Sequence, residues 1–358
     1  MRILHLIPDL ALGGAQRMLT YAAAAMDRDR YRLAVAYWGQ AGPLRADLER
    51  LGIPVVRLAG GPSLPRLARS FGQHVRRLRP DVVHTHLFDA DLIGTLTARA
   101  LGVRACCATI HSFSFFAARR HRWRYRWLLG PLVGRFLAVS RALADHLVRE
   151  CRLPASRVRV VANGIDAARF APPAGAAPPP APGPTLGVLT RLDARKGLSY
   201  LLRAMAQLRS DLPDARLLIG GDGADRPALE REACSLGLAD RVEFVGAVSD
   251  SAAFYRRLDC FVLPSLDEAF GLVVLEAMAA GLPVVGTRVG GIPEILEDGS
   301  QGRLVAPADS HALAGAIREL CADPLRRQRM GEAARRQARR FDIGHTVKAL
   351  QAAYEELA

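Results

Sequence analysis

Lysine is nearly absent from this chain: there are two in 358 residues, against 47 arginines. Cysteine is also sparse, six in all, with no C-x-x-C spacing and with Cys106 and Cys107 adjacent. That pattern excludes a disulfide scaffold and the usual zinc ribbons, and it leads us to expect a reducing compartment. No uninterrupted apolar run reaches about 18 residues, the length of a membrane span. The two longest candidates, 127–139 and 272–286, are broken by Arg135 and Glu276. The start, MRILHLIPDLALGG, has one basic residue and then Pro-Asp and Gly-Gly where a signal peptide needs its apolar stretch. A cytoplasmic, soluble protein is expected. What remains is half hydrophobic, 23% charged and only 6% aromatic, an ordinary globular composition. At about 150 residues per domain, two domains are expected, each able to bury its own core.

The charge lies in one half. Residues 1–170 hold 27 arginines against 11 acidic residues, a net +16, while the rest of the chain is close to neutral at −2. A coding bias toward arginine explains the missing lysine but not this asymmetry. A basic half suits nucleic acid, an anionic membrane face or an anionic substrate.

Short Val/Ile/Leu-rich runs alternate with longer amphipathic ones. Strands are expected at 2–7, 32–37, 55–58, 82–86, 103–110, 136–139 and 158–161, with helices such as 16–26, 67–78 and 92–100 between them. At residues 171–184 the composition changes to APPAGAAPPPAPGP, a stiff linker. The alternation then restarts, with strands expected at 186–189, 216–219, 242–245, 260–263, 284–285 and 303–305 and a helical tail from about Ala312. The fold class expected is α/β: two doubly wound, parallel-sheet domains whose loops converge on one cleft. The expected division is 1–170, linker 171–184, 185–340, and a C-terminal helix 341–358.

In such sheets ligands sit beyond the carboxyl ends of the strands, where the glycine and polar residues of this chain concentrate. In DCFVLPSLDEAFGLVVLEAMAAG, Glu268 and Glu276 are eight apart, and an early helix start would turn both toward one ligand. Gly271 permits close backbone approach, and free amides at a helix start suit phosphate oxygens. A helix end with Glu276 simply solvated is the competing reading, and spacing alone leaves both open. In RLDARKG, Arg191 and Lys196 stand at a helix entry and could hold a diphosphate, although a solvated basic loop reads the same way. Gly13 and Gly14 sit in a strand–glycine–helix turn that matches neither G-x-G-x-x-G nor the P-loop pattern.

Other groupings read more plainly. Asp89 and Asp91 spell D-x-D, but at a helix start they are ordinary caps. His84 and His86 share one face of a strand, yet a third ligand with the right spacing is missing, so no metal is expected. Gly220 to Gly223 read as a strand-end turn. Residues 119–127, from Arg119 to Trp127, interleave five arginines with Trp123, Tyr125 and Trp127. As one helix this segment either packs its tryptophan pair into the domain or meets an anionic membrane face or a lipid-diphosphate acceptor.

Taken in order, these stretches resemble a family. E-A-F-G-L-x-x-x-E (Glu268 to Glu276), R-L-x-x-x-K-G, G-G-A-Q-R, T-H-L-F-D-A-D-L-I-G, T-I-H (Thr109 to His111) and N-G-I-D (Asn163 to Asp166) are similar to those of family 4 retaining glycosyltransferases with the GT-B fold. Departures are Gln16 where Glu is common, Ala162 where Pro usually stands and Ala269 where Gly is frequent. The resemblance implies that Glu268 binds donor-sugar hydroxyls, with the amides of Phe270, Gly271 and Leu272 near sugar and phosphate. It implies Glu276 on the nucleotide ribose, and Arg191 and Lys196 on the leaving diphosphate, helped by Gly13 and Gly14. It implies His111 beside the sugar. The activity it implies is transfer of a hexosyl group from a UDP- or GDP-sugar to an acceptor hydroxyl in cell-envelope polysaccharide, lipopolysaccharide or glycolipid synthesis. The nucleotide sugar is then a co-substrate, and neither a cofactor nor a metal is expected. The partners expected are that donor and a glycan or lipid-linked acceptor held by the first half, with membrane contact through residues 119–127 at the inner membrane and no nucleic acid. A nucleotide-sugar-binding regulatory subunit and an epimerase on the same fold are the competing functions. A phosphorylase is disfavoured, because neither Lys196 nor Lys348 is suited to a pyridoxal cofactor.

Overall fold

The computed structural model describes residues 1–61, 63–116, 118–171 and 182–358. It divides into two units, 1–164 with 343–358, and 165–342.

The first unit is a seven-stranded parallel sheet. Its strands are β1 (Arg2–Leu6), β2 (Arg32–Tyr37), β3 (Val55–Arg57), β4 (Val82–His86), β5 (Ala105–Ile110), β6 (Arg135–Ala138) and β7 (Val158–Val160), in the order β3-β2-β1-β4-β5-β6-β7. The strands form where apolar runs were expected, and the central ones are buried along almost their whole length, as a sheet covered on both faces requires. Alternation separates the two faces. Leu4, Leu6 and Val83 join Phe71, Val75 and Ile93 in an apolar core. His5, His84 and His86 belong to the opposite set of positions, and register pairs His5 with His84. The strand order reverses between β1 and β4, so the ligand crevice of this topology lies at their carboxyl ends.

The second unit carries β8 (Thr185–Leu189), β9 (Arg216–Gly220), β10 (Val242–Gly246), β11 (Cys260–Leu263), β12 (Val284–Thr287) and β13 (Gly302–Val305), in the order β10-β9-β8-β11-β12-β13. Every pairing is parallel. Here the reversal falls between β8 and β11, the strands that precede the Arg191 and Glu268 loops.

The units divide at Gly164 and Ile165 rather than at 170. Ile165 N–H donates to the Phe341 carbonyl at 3.0 Å, and buried Phe170 lies against Tyr255, so this short stretch packs with the second unit. The helix Ile343–Glu355 in turn belongs to the first unit. Its Thr346 hydroxyl donates to the Ala162 carbonyl at 2.8 Å, and the Tyr31 hydroxyl donates to Glu355 at 2.5 Å. The expected linker 171–184 falls largely outside the described residues. No helix among the described residues is long and apolar enough to cross a membrane.

Candidate functional site

In the second unit, buried β11 ends at Leu263 and the chain loops to Gly271, whose φ of 96° is a conformation that favours glycine. The helix Leu272–Ala279 begins there. Glu268 therefore precedes the helix, and the spacing argument that placed it on a shared helical face with Glu276 does not hold. Its backbone carbonyl accepts from Gly291 N–H at 3.1 Å, which anchors the loop. Its carboxylate meets Lys196 Nζ at 2.8 Å, with both side chains 17% exposed. Glu276 is not solvated either. It is fully buried in the second turn, and Tyr255 Oη donates to its Oε2 at 3.0 Å. Burying a carboxylate is costly unless polar groups meet it, and the Tyr255 hydroxyl is one such group.

The amides of Phe270, Gly271 and Leu272 donate to no described residue, although all three residues are buried. The first N–H groups of a helix have no intrahelical partner and are met by other groups, water or a ligand. Three in succession at a helix start form a ready cradle for anionic oxygen.

The RLDARKG loop reaches this place through its backbone. Leu266 N–H donates to the Arg195 carbonyl at 2.7 Å. Gly197, at φ 64°, sits so close to Pro264 that a Cβ would run into its carbonyl oxygen. This contact carries Lys196 to Glu268. Arg191 is more exposed and is held by Asp193, Nε to Oδ2 at 2.7 Å. Asp193 also accepts from Arg195 at 3.0 Å and caps the short turn Ala194–Lys196. The expected strand-end turn at residues 220–223 packs against the same loop, with Leu192 N–H donating to the Asp222 carbonyl at 3.0 Å.

In the first unit, Gly13 is extended at φ −154° and caps the helix Gly14–Ala25, which has no side-chain cap and no acidic residue in its first turn. Asp9 orders the turn by accepting from Ala11 N–H at 3.0 Å and from Gln16 Nε2 at 2.9 Å. A glutamate at 16, the residue common in the family resembled, would set two carboxylates against each other. His111 follows β5, and its Nε2 lies 3.2 Å from His86 Nδ1. Burial lowers the His111 pKa to about 4, so its ring is neutral near pH 7.

Three sequence expectations in this unit change. The third histidine beside His84 and His86 exists: His5, from the neighbouring strand, brings one nitrogen of each ring within 4.8 Å of the others. Asp91 is not a cap. It is fully buried, accepting from the Thr85 hydroxyl at 2.6 Å and the Tyr125 hydroxyl at 2.5 Å. Residues 119–127 are not one α-helix but an α-helical stretch, Arg119–Trp123, running into a π-helical one, Arg124–Leu129. The wider turn sends Tyr125 inward to Asp91 and leaves Trp123 and Trp127 at 61% and 58% exposure, so the tryptophans are not packed into the domain.

A family model described as Glycosyltransferase Family 4 matches residues 12–169, and one described as Glycosyl transferases group 1 matches residues 177–337. The lipopolysaccharide core biosynthesis mannosyltransferase LpcC of Rhizobium leguminosarum bv. viciae is 33% identical over 256 residues, covering 68% of this chain and 70% of that protein. The chain belongs to the family 4 glycosyltransferases. A glycogen synthase of Mycobacterium tuberculosis is 33% identical over 73% of this chain, which spans 64% of that protein's length, less than two thirds. Among solved structures, Anabaena Alr3699/HepE in complex with UDP and glucose is 25% identical, with a TM-score of 0.88 over 100% of both chains. The fold is accordingly the GT-B fold of this family, built from two Rossmann-like units. Tyr255, Asp193 and His5 went unnoticed in the sequence, because nothing in their spacing ties them to the residues they meet.

Proposed function

We propose that this family 4 member is a retaining, metal-independent glycosyltransferase. It moves a hexosyl group from a UDP- or GDP-sugar to an acceptor hydroxyl in the assembly of cell-envelope polysaccharide, lipopolysaccharide or glycolipid. The donor binds the second unit and the acceptor the first. The observation that carries the reading is the assembly at residues 268–276: a carboxylate paired with Lys196, three amides with no partner among the described residues and a second, fully buried carboxylate. These are the groups a sugar diphosphate joined to a ribose calls for. Glu268 accepts from sugar hydroxyls, the amides and Lys196 meet phosphate oxygens, and Glu276 accepts from the ribose. The UDP bound by the Anabaena structure supports the same class of donor.

Lys196 has three N–H donors, so it can hold Glu268 and still meet a phosphate. With Arg191 it stabilises negative charge as the diphosphate leaves, the term that dominates such reactions. The resemblance adds a front-face displacement in which a departing phosphate oxygen takes the acceptor proton, which requires no second carboxylate as nucleophile. His111 is read as a sugar contact, and Gly13 and Gly14 as phosphate contacts.

The test is calorimetric titration of UDP, GDP, ADP and CDP into wild type and Glu276→Gln, followed by transfer assays with the matching nucleotide sugars. One nucleotide should bind in the micromolar range and weaken on substitution, and Glu268→Ala should abolish transfer. Failure of all four to bind a folded sample would sink the reading. Binding without transfer to any acceptor would favour a regulatory subunit.

A second reading concerns residues 119–128. Trp123, Trp127 and Leu128 are exposed beside Arg119, Arg120 and Arg126, and the Arg126 guanidinium lies 4.6 Å from the Trp127 ring. Tryptophan at lipid headgroups and arginine near anionic lipid are the two elements of peripheral membrane binding. Docking of this segment on an anionic inner-membrane face would bring the protein to a lipid-linked acceptor.

A further inference from the structure

Four histidines cluster where β1, β4 and β5 end. Three of them form a line: His5 Nδ1 lies 3.0 Å from His86 Nε2, and His86 Nδ1 lies 3.2 Å from His111 Nε2. His84 stands beside the line, with ring centroids 4.9 Å from His5 and 4.2 Å from His86. Its own nitrogens are taken by the Tyr354 and Thr109 hydroxyls, both at 2.7 Å.

Burial lowers the pKa of His5 to about 3 and holds His84 and His86 well below the usual imidazole value, so every ring is neutral near pH 7. A neutral imidazole has one N–H and one bare nitrogen. His86 uses both, so each ring dictates the next. If His5 donates from Nδ1, His86 must donate from Nδ1, and His111 must carry its proton on Nδ1. In the opposite sense all three protons sit on Nε2. A broken sense would leave two bare nitrogens or two N–H groups face to face in a buried place, which is costly.

We propose that His5 and His86 are positioning residues for His111: the three rings form one hydrogen-bonded chain that holds its ring and ties its tautomer to theirs. The chain leaves Nδ1 as its nitrogen for a neutral, hydroxyl-bearing ligand group. His111 Nδ1 has no partner among the described residues. A neutral ring held this way exchanges hydrogen bonds with hydroxyls and offers no cation to a phosphate. The ligand half of this statement rests on the glycosyltransferase reading, whereas the chain itself does not.

The competing use of the same rings is a metal ion on His5, His84 and His86. It would require breaking one of the two bonds of His86, to His5 or to His111, and one of the two short bonds of His84.

The experiment is nitrogen-15 NMR of histidine-labelled, ligand-free protein at pH 7, with ring signals assigned by single replacements. His5, His86 and His111 should all carry the proton on the same ring atom, Nδ1 in one sense of the chain or Nε2 in the other. His86→Gln puts its amide where Nε2 was, so it keeps His5 but releases His111, whose two signals should move together. His86→Asn puts its amide where Nδ1 was, so it keeps a hydrogen bond to His111 and loses His5. In transfer assays the glutamine variant should lose roughly 10- to 100-fold in kcat with little change in donor KM, and asparagine should restore much of it. Different ring atoms protonated along the three rings in wild type, or His111 signals unmoved by His86→Gln, would overturn the chain, as would equimolar zinc shifting His5, His84 and His86. If the glutamine variant does not fold, the wild-type spectrum decides alone. Matched tautomers in a protein without transfer activity would keep the chain and reject only the glycosyltransferase reading.

Discussion

Replacing Asp91 by asparagine should flatten the pH dependence of the first unit's stability. Two hydroxyls, from Thr85 and Tyr125, donate to this carboxyl and favour its charge, but complete burial outweighs them and pushes its pKa from the ordinary 3.8 up to about 7. Between those values the folded state holds a proton that the unfolded chain has already released, so stability falls as pH rises. The contribution is fully present below pH 3.8 and fully lost above about pH 7. Each pH unit in that window is worth about 1.4 kcal/mol, so pH 5 to 8 spans a loss of about 3 kcal/mol. Asparagine keeps the shape and an acceptor for Tyr125 but has no proton to lose. The assay is convenient because all three tryptophans, Trp38, Trp123 and Trp127, lie in the first unit, so urea unfolding followed by their fluorescence reports that unit alone. The variant's stability minus that of wild type should rise by about 3 kcal/mol from pH 5 to pH 8. A difference that stays constant across this range would refute the reasoning. Tyr125→Phe removes one of the hydroxyls that favour the charged form, so it should move the fall to higher pH.

Tyr255→Phe removes the hydroxyl at 3.0 Å from Glu276. It should weaken nucleotide binding by about 1–2 kcal/mol, read by calorimetry, with little change in fold. Gly197→Ala forces a Cβ against the Pro264 carbonyl at a left-handed φ of 64°. It should destabilise the second unit by about 2 kcal/mol or more, read by urea denaturation with circular dichroism, and reduce nucleotide affinity as Lys196 moves. The Trp123→Ala/Trp127→Ala double variant should sediment far less with vesicles rich in anionic lipid while binding nucleotide like wild type. Equal sedimentation of variant and wild type would show that the exposed pair has no part in membrane contact.

Strand positions were legible because fully buried parallel strands read as short apolar runs, and the two sheets use all thirteen runs identified. Helix starts were less legible. The helices Leu64–Leu78 and Phe88–Ala100 begin several residues before their apolar periodicity does, since Pro65, Arg66, Asp89 and Ala90 carry no repeat that marks a turn. The unit boundary was misplaced at 170 because residues 165–170 are of ordinary composition, and only the Ile165 to Phe341 bond and the burial of Phe170 assign them to the second unit. In residues 119–129 the pattern of alternating basic and aromatic residues was plain, but which ring turns inward depends on a π-helical turn that periodicity does not signal.

The sequence by itself determined the two-sheet α/β class, the place of its loops at strand ends and the family motifs, because each is written in residues close together in the chain. The tertiary structure alone decided the partnerships: Lys196 with Glu268, 72 positions away, and His5 with His86, 81 positions away. It alone placed the carboxyl-terminal helix, with Tyr354, on the histidine cluster of the first unit. The reason is physical. Local periodicity fixes which face of an element is buried, but strand order and register, which decide what lies opposite, arise from the packing of the whole sheet.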